Sequence, residues 1–288
     1  MSRRRGRGRP IGWVRKTSGE TQPFSERKLI RSLRNAGAGR AQARRVVDLL
    51  RERTGPPLST RQLYQAAFSL LRQEGRHLAA RYSLKRALLE LGPTGFPFER
   101  ILGELLRRSA YQVRFNQRLQ GHCVSHEVDV IATASGKRIL AECKYHQDPR
   151  KKVDLKVALY VQARALDLAR PGRRGRSQQF WLVTNTRFTL EAIQYAACAG
   201  LTLLSWDHPP GDGLRERISR LGLHPVTCLT RLNKREKQAL LAHNIVCGRE
   251  LLAQPEILRK IGMEARQAER VLEEVEELIR LSPADGKG

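Results

Sequence analysis

Hydrophobic and polar positions alternate most clearly over residues 126–145. One run reads His126-Glu127-Val128-Asp129-Val130-Ile131-Ala132. A second reads Ile139-Leu140-Ala141-Glu142-Cys143-Lys144-Tyr145, with Ser135-Gly136 between them. Both runs are rich in strand-favouring residues and Ser-Gly suits a two-residue turn, so the pattern predicts a β-hairpin. With the turn there, Ala134 pairs with Lys137, Asp129 with Glu142 and Glu127 with Lys144. Alternation then places Glu127, Asp129, Glu142 and Lys144 on one face, and Val128, Val130, Ile139, Ala141 and Cys143 on the other. A slip of one residue would break this correspondence.

Elsewhere the spacing is helical. After a strand and tight turn over 13–20, Ser25 is a good N-cap for a helix in which Leu29, Leu33 and Ala36 recur at helical spacing. Further helices are predicted near 40–53, 59–74 and 77–91. Thr54-Gly55-Pro56-Pro57 separates the first two, and Leu91-Gly92-Pro93-Thr94-Gly95-Phe96-Pro97 is a breaker run that marks a domain boundary. After Gly211-Asp212-Gly213, a loop, the pattern turns helical from about 225. Segments are expected at 234–243, 248–254, 255–261 and 264–281, with a turn at Ile261-Gly262-Met263.

The hairpin carries candidate chemistry. Two carboxylates opposite each other repel, which destabilises a hairpin unless something compensates. Carboxylate oxygens suit Mg²⁺. A cation held by Asp129 and Glu142 could polarise a phosphodiester, with Lys144 orienting a water or stabilising developing charge. The competing reading is an exposed strand face whose charges are merely solvated.

Composition narrows the partners. The chain has 288 residues, enough for two or three domains, and a formal net charge of +26, for which phosphate-rich partners are the leading explanation. A basic tail, residues 1–12, carries Arg3, Arg4, Arg5, Arg7 and Arg9 among glycines and reads as disordered. Arg173, Arg174 and Arg176, in a Pro/Gly loop, suit contacts to a nucleic-acid backbone. No apolar run reaches the roughly 20 residues of a membrane span. No signal peptide or basic amphipathic helix is visible, so no membrane partner is expected. Five scattered cysteines without a CxxC pair read as reduced thiols, and the expected location is cytoplasmic. Aromatic content of 6% gives little support for base stacking along a single strand.

Asp129 followed by Glu142-Cys143-Lys144 resembles the PD-(D/E)xK nuclease motif, and the surrounding pieces resemble the Mrr-like restriction endonuclease domain over about 96–207. These are the helix Phe98-Glu99-Arg100-Ile101-Leu102-Gly103-Glu104, the step Ala110-Tyr111-Gln112-Val113, the strand Phe180-Trp181-Leu182-Val183-Thr184-Asn185, and Gly200-Leu201-Thr202-Leu203-Leu204. Val128 stands where the motif has proline, and Ala110 where a glycine is usual. The resemblance implies an α/β fold, a central mixed sheet flanked by helices. It also implies Mg²⁺- or Mn²⁺-dependent DNA cleavage, with Asp129 and Glu142 as metal ligands and Lys144 as the catalytic lysine. Glu127, Glu99 and Gln162 are candidate additional site residues.

Residues 13–92 resemble an ATP-cone, a small and mainly helical nucleotide-binding module. The match rests on Val14-Arg15-Lys16, Pro23-Phe24-Ser25 with Lys28, and Ala80-Arg81-Tyr82. It implies ATP or dATP as effector, held by Lys16, Lys28 and Arg81. The turn Lys16-Thr17-Ser18-Gly19 lacks the second basic residue usual there, and no P-loop is present. Residues 225–283 form a helical domain whose Ile261-Gly262-Met263 is similar to the turn of helix-hairpin-helix modules. That would aim backbone N–H groups near Gly262 at a DNA phosphate. Glu264, Glu269, Glu273, Glu274, Glu276 and Glu277 make the last helix acidic, which argues against DNA on that face and leaves docking or a homo-oligomer open. The expected function is a metal-dependent endodeoxyribonuclease regulated by nucleotide. The alternatives are a nucleotide-responsive DNA-binding regulator with an inactive nuclease fold, and an RNA nuclease.

Overall fold

The structure, a computed structural model, describes residues 13–16, 19–52, 58–169 and 177–282. The chain divides into two compact units, Met1–Ser83 and Leu84–Gly288.

In the first unit β1 (Trp13–Arg15) pairs antiparallel with β2 (Thr21–Pro23) and parallel with β3 (Leu58–Ser59). Gly19, at φ +87°, closes the turn between β1 and β2 by donating its N–H to the Lys16 carbonyl. Ser25 caps α1 (Glu26–Asn35), accepting from the Lys28 N–H. α2 (Arg40–Glu52) follows, then α3 (Thr60–Glu74), which starts from a reciprocal capping box of Ser59 and Gln62. α4 (Arg76–Leu89) comes next. Leu29 and Leu33 from α1, Val46, Val47 and Leu50 from α2, Leu70 and Leu71 from α3, and Leu78 from α4 form one buried cluster.

The two compact units meet a few residues before the expected boundary run at 91–97. The division falls inside α4. The last carbonyls of a helix lack intrahelical partners. Here side chains of the second unit take them: Thr227 Oγ1 donates to Ala87 O at 2.9 Å, Asn185 Nδ2 to Leu88 O at 3.3 Å and Tyr145 Oη to Leu89 O at 2.7 Å. Gln147 Nε2 donates to Gly92 O in the breaker run itself.

The second unit continues through α5 (Phe96–Arg108), β4 (Gln112–Gln120), β5 (Ser125–Ala134), β6 (Lys137–Lys144), β7 (Lys152–Val153), α6 (Leu155–Leu168), β8 (Ser177–Thr184), β9 (Arg187–Phe188), α7 (Leu190–Ala199) and β10 (Thr202–Leu204). Five strands form one mixed sheet in the order β10-β8-β6-β5-β4. β4, β5 and β6 are antiparallel neighbours; β6, β8 and β10 run parallel. Asp154 and Thr189 cap α6 and α7. The hairpin turn lies at Ser135 and Gly136, both with positive φ, and Ala134 pairs with Lys137 as the pattern predicts.

Strict alternation fails at one level of the sheet. Val113 and Phe115 of β4 press against Gly103 of α5, whereas Leu119 joins a cluster with Leu168 of α6. All three positions are odd, so the strand exchanges faces between Phe115 and Leu119. Asn116, at φ +50°, makes the exchange. β5 exchanges at the same level, because Val128 and Ile131 both belong to the Leu168 cluster. The β4–β5 ladder runs from Phe115↔Val130 to Gln117↔Val128 and omits Asn116 and Asp129.

After the sheet come α8 (Leu214–Leu221), a 3₁₀ turn (Val226–Cys228), α9 (Lys234–Ala242), α10 (Gly248–Ala253), α11 (Glu256–Lys260) and α12 (Ala265–Arg280). The last four match the expected helices to within a residue or two; α8, amphipathic through Leu214 and Ile218, was not among them. Glu274 of α12 is buried and accepts the N–H groups of Thr230 (2.8 Å) and Arg231 (3.1 Å). One acidic residue of that helix is therefore a clamp on the chain before α9, not surface charge.

Candidate active site

Asp129 sits at the kink. Its Oδ2 accepts the Cys143 N–H at 2.7 Å where the β5–β6 ladder has ended at Val130↔Ala141. The pairing expected between Asp129 and Glu142 is thus replaced by a side-chain-to-backbone bond that holds the two strands together as they part. β6 continues beyond this point on its other side, with Glu142, Cys143 and Lys144 paired to Leu182, Val183 and Thr184 of β8.

Glu142 is held from two sides. Its Oε1 accepts from Lys144 Nζ at 2.7 Å, and its Oε2 accepts from the Arg164 guanidinium of α6. Arg164 also donates to the Glu127 carbonyl, so one half-buried guanidinium spans β6 and β5. Glu127 enters the site through its backbone, and its side chain is exposed. Gln162 does not join. Its amide donates to Ala199 O at the end of α7, at 3.4 Å. The reason is helical geometry: Ala158, Val161, Ala165 and Leu168 form the buried stripe of α6, and positions 162 and 164 flank it on opposite sides. Arg164 was not anticipated from sequence.

The carboxylates are crowded. Burial, followed by the negative charges of Asp129, Glu142 and Glu127, pushes the Glu99 carboxyl up to about 7. Burial and then Glu142 push Asp129 up to about 6, against the opposing pull of the Cys143 N–H, Lys144 and Arg164. Glu99 Oε2 is buried without a hydrogen-bond partner. Glu104, one turn further along α5, pairs instead with Arg107 of its own helix.

Among the described residues no three His, Cys, Asp or Glu side chains form a ready-made metal cage. The donor set nevertheless fits a hard divalent cation. It offers carboxylate oxygens only, one of them buried and unpartnered, and burial with neighbouring negative charge raises the proton affinity of Glu99 and Asp129.

Lys16 pairs with Glu20 at 3.3 Å. Lys28 lies in the first turn of α1. Arg81 lies beside Gly37, past that helix's other end, where a Cβ on the glycine would come 3.1 Å from Arg81 Nη1. At the 261–263 turn the Gly262 N–H is taken by Arg259 O (2.9 Å) and the Met263 N–H by Leu258 O (3.0 Å), so these groups are not presented to a phosphate. Arg173, Arg174 and Arg176 and residues 1–12 lie outside the described residues. No helix among the described residues is long and apolar enough to cross a membrane. The five cysteines form no disulfide.

A five-stranded mixed sheet with a splayed acidic hairpin is the architecture of a restriction endonuclease-like domain, and residues 92–208 match the family model described as "Restriction endonuclease". Residues 224–279 match a second model, "AF1548-like, C-terminal". An uncharacterized protein of Archaeoglobus fulgidus is 36% identical over 179 residues, which span 62% of this chain and 99% of that protein. The crystal structure of AF1548, a protein of unknown function, aligns at 34% identity with a TM-score of 0.52, over 65% of this chain and 99% of that one. The MspJI restriction endonuclease, in complex with a 27-mer oligonucleotide, aligns at 17% identity with a TM-score of 0.33, over 68% of this chain and 39% of that one. The chain belongs to the AF1548-like family, whose C-terminal helical module here follows a restriction endonuclease domain.

Proposed function

We propose that this protein is a metal-dependent endodeoxyribonuclease. The observation that carries the reading is Asp129 bonded to the Cys143 N–H, between Glu142 and its partner Lys144, where β5 and β6 part, with the Glu99 carboxyl near enough to feel both negative charges. Asp129 and Glu142 would hold the metal, with Glu99 as a third oxygen donor. Bound there, Mg²⁺ or Mn²⁺ supplies Lewis-acid polarisation of a phosphodiester and a more acidic water. Lys144 neutralises charge that grows on the scissile phosphate. Arg164 keeps the Glu142 carboxylate oriented while Lys144 is engaged elsewhere. The positive charge of the chain draws a polyanion to the site.

The test is cleavage of supercoiled plasmid with Mg²⁺, Mn²⁺ or EDTA, by wild type beside Lys144→Ala. Metal-dependent nicking by wild type alone supports the reading. DNA binding without cleavage would favour a DNA-binding regulator, and cleavage confined to RNA would favour a ribonuclease. Repeating the wild-type reaction with ATP and dATP tests the nucleotide control expected of the first unit.

A further inference from the structure

The sheet face that α6 covers is apolar only as far as α6 reaches. Leu168, the last residue of that helix, packs in one cluster with Val128, Ile131 and Leu140. One row further toward the hairpin turn the same face becomes polar on three adjacent strands. Gln112, Thr133 and Arg138 are ladder partners across β4, β5 and β6. Beside them Arg114 pairs with Ile131, and Lys137 begins β6. With Gln117, these residues line an open concavity of about 680 Å³, and no carboxylate lines it among the described residues.

Sheet faces in such folds are buried by helices, and a patch that no described helix covers must satisfy water or a partner. This one holds two arginines, a lysine, two amides and two hydroxyls on a three-stranded floor. Arginine and lysine neutralise phosphates. Amides and hydroxyls hydrogen-bond phosphate and sugar oxygens without reading sequence. An acidic protein surface would satisfy the charge as well. Three cations beside hydrogen-bonding amides and hydroxyls, with no carboxylate among the described lining residues, favour a phosphodiester.

The geometry points to this concavity as a docking face for the backbone of duplex DNA, separate from the carboxylate cluster. The inference rests on the nuclease reading for the identity of the polymer. The face holds a length of duplex away from the scissile bond, so short duplexes gain nothing from it and long ones do.

The test is fluorescence anisotropy of a labelled long duplex in EDTA, using full-length protein carrying Lys144→Ala. Arg114→Glu with Lys137→Glu is compared with Lys234→Glu and Arg235→Glu, an equal charge change on the exposed first turn of α9. The expected result is about tenfold or greater weakening by the first pair, and a log affinity against log salt slope shallower by about two, one per lost phosphate contact. The control pair changes affinity less than about threefold. Equal weakening by both pairs, weakening for duplex RNA but not DNA, or no weakening overturns the inference. Arg114→Gln with Lys137→Gln, checked for native melting, must weaken binding in the same direction, which separates docking from misfolding. A wild type that never cleaves DNA defeats the nuclease reading. One that cleaves DNA while the Arg114/Lys137 variant binds normally defeats this inference alone.

Discussion

Arg164 and Glu142 form an ion pair that joins the middle of α6 to the end of β6, with the guanidinium also bonded to the Glu127 carbonyl. A lysine at 164 could meet one of those acceptors but lacks the planar fork needed for both. Arg164→Ala is expected to destabilise the second unit by about 1–3 kcal/mol, because Lys144 still pairs with Glu142. Cleavage should fall about tenfold or more, with Arg164→Lys between alanine and wild type. Urea melts beside plasmid nicking check this; wild-type values for alanine in both would remove Arg164 from the site.

The acid cluster predicts a coupled response to pH and metal. Glu99 and Asp129 have folded-state values of about 7 and about 6. Unfolded carboxylates titrate near ~4. The folded state therefore holds these protons more tightly. The fold carries no penalty from these groups below the unfolded value. It loses stability progressively as pH rises through the folded values. Metal-free protein should thus melt lower at pH 8 than at pH 5, and Mn²⁺ should raise the melting temperature more at pH 8 than at pH 5. Glu99→Gln should flatten the metal-free dependence and reduce the Mn²⁺ effect. A melting temperature that responds to Mn²⁺ equally at both pH values contradicts this account.

Gly103 lies where α5 meets β4. A Cβ there would stand 2.3 Å from Phe115 Cζ and 3.3 Å from Val113 Cγ1. The ring cannot simply swing away, since Arg107 and Arg100 stack over it at 5.3 and 6.0 Å. Gly103→Ala should cost about 1–3 kcal/mol through overpacking, and Gly103→Val more. Chemical denaturation measures it, and a neutral alanine would show that α5 moves freely on the sheet.

Glu274 should behave as structure in spite of its charge. Glu274→Ala leaves the N–H groups of Thr230 and Arg231 without their acceptor and is expected to cost about 1–3 kcal/mol. Glu273→Ala, one residue away and lacking that clamp, should change stability by less than about 0.5 kcal/mol. Equal effects in thermal melts would refute the distinction.

Much of this architecture could be read before any coordinates. The Ser135-Gly136 turn and the Ala134↔Lys137 register follow from strand-forming arms around a short polar turn. The Ser25 cap and the α9–α12 boundaries follow from capping and apolar spacing. What could not be read depends on single backbone angles or on reach. The exchange of faces at Asp129 is set by the φ of Asn116 on the neighbouring strand, which alternation does not encode. Arg164 and Gln162 are equally polar positions flanking one buried stripe, and only the placement of α6 over β6 decides which meets Glu142. The division within α4 goes with side chains up to 140 residues distant in sequence that donate to the carbonyls of its last turn.

The positive φ of Asn116 has an effect on the outer side of the sheet too. β4 is one of the two edge strands, nine residues long, and among the described residues no strand of its sheet pairs with its outward N–H and C=O groups. A flat edge of that length is a template on which a second chain can add. At Asn116 the backbone turns, and the row of donors and acceptors is broken into two short pieces, each bearing an arginine, Arg114 and Arg118. The distortion that frees Asp129 from the ladder therefore also guards the protein against edge-to-edge self-association. Straightening it should make the chain prone to aggregate as well as less able to assemble its carboxylates.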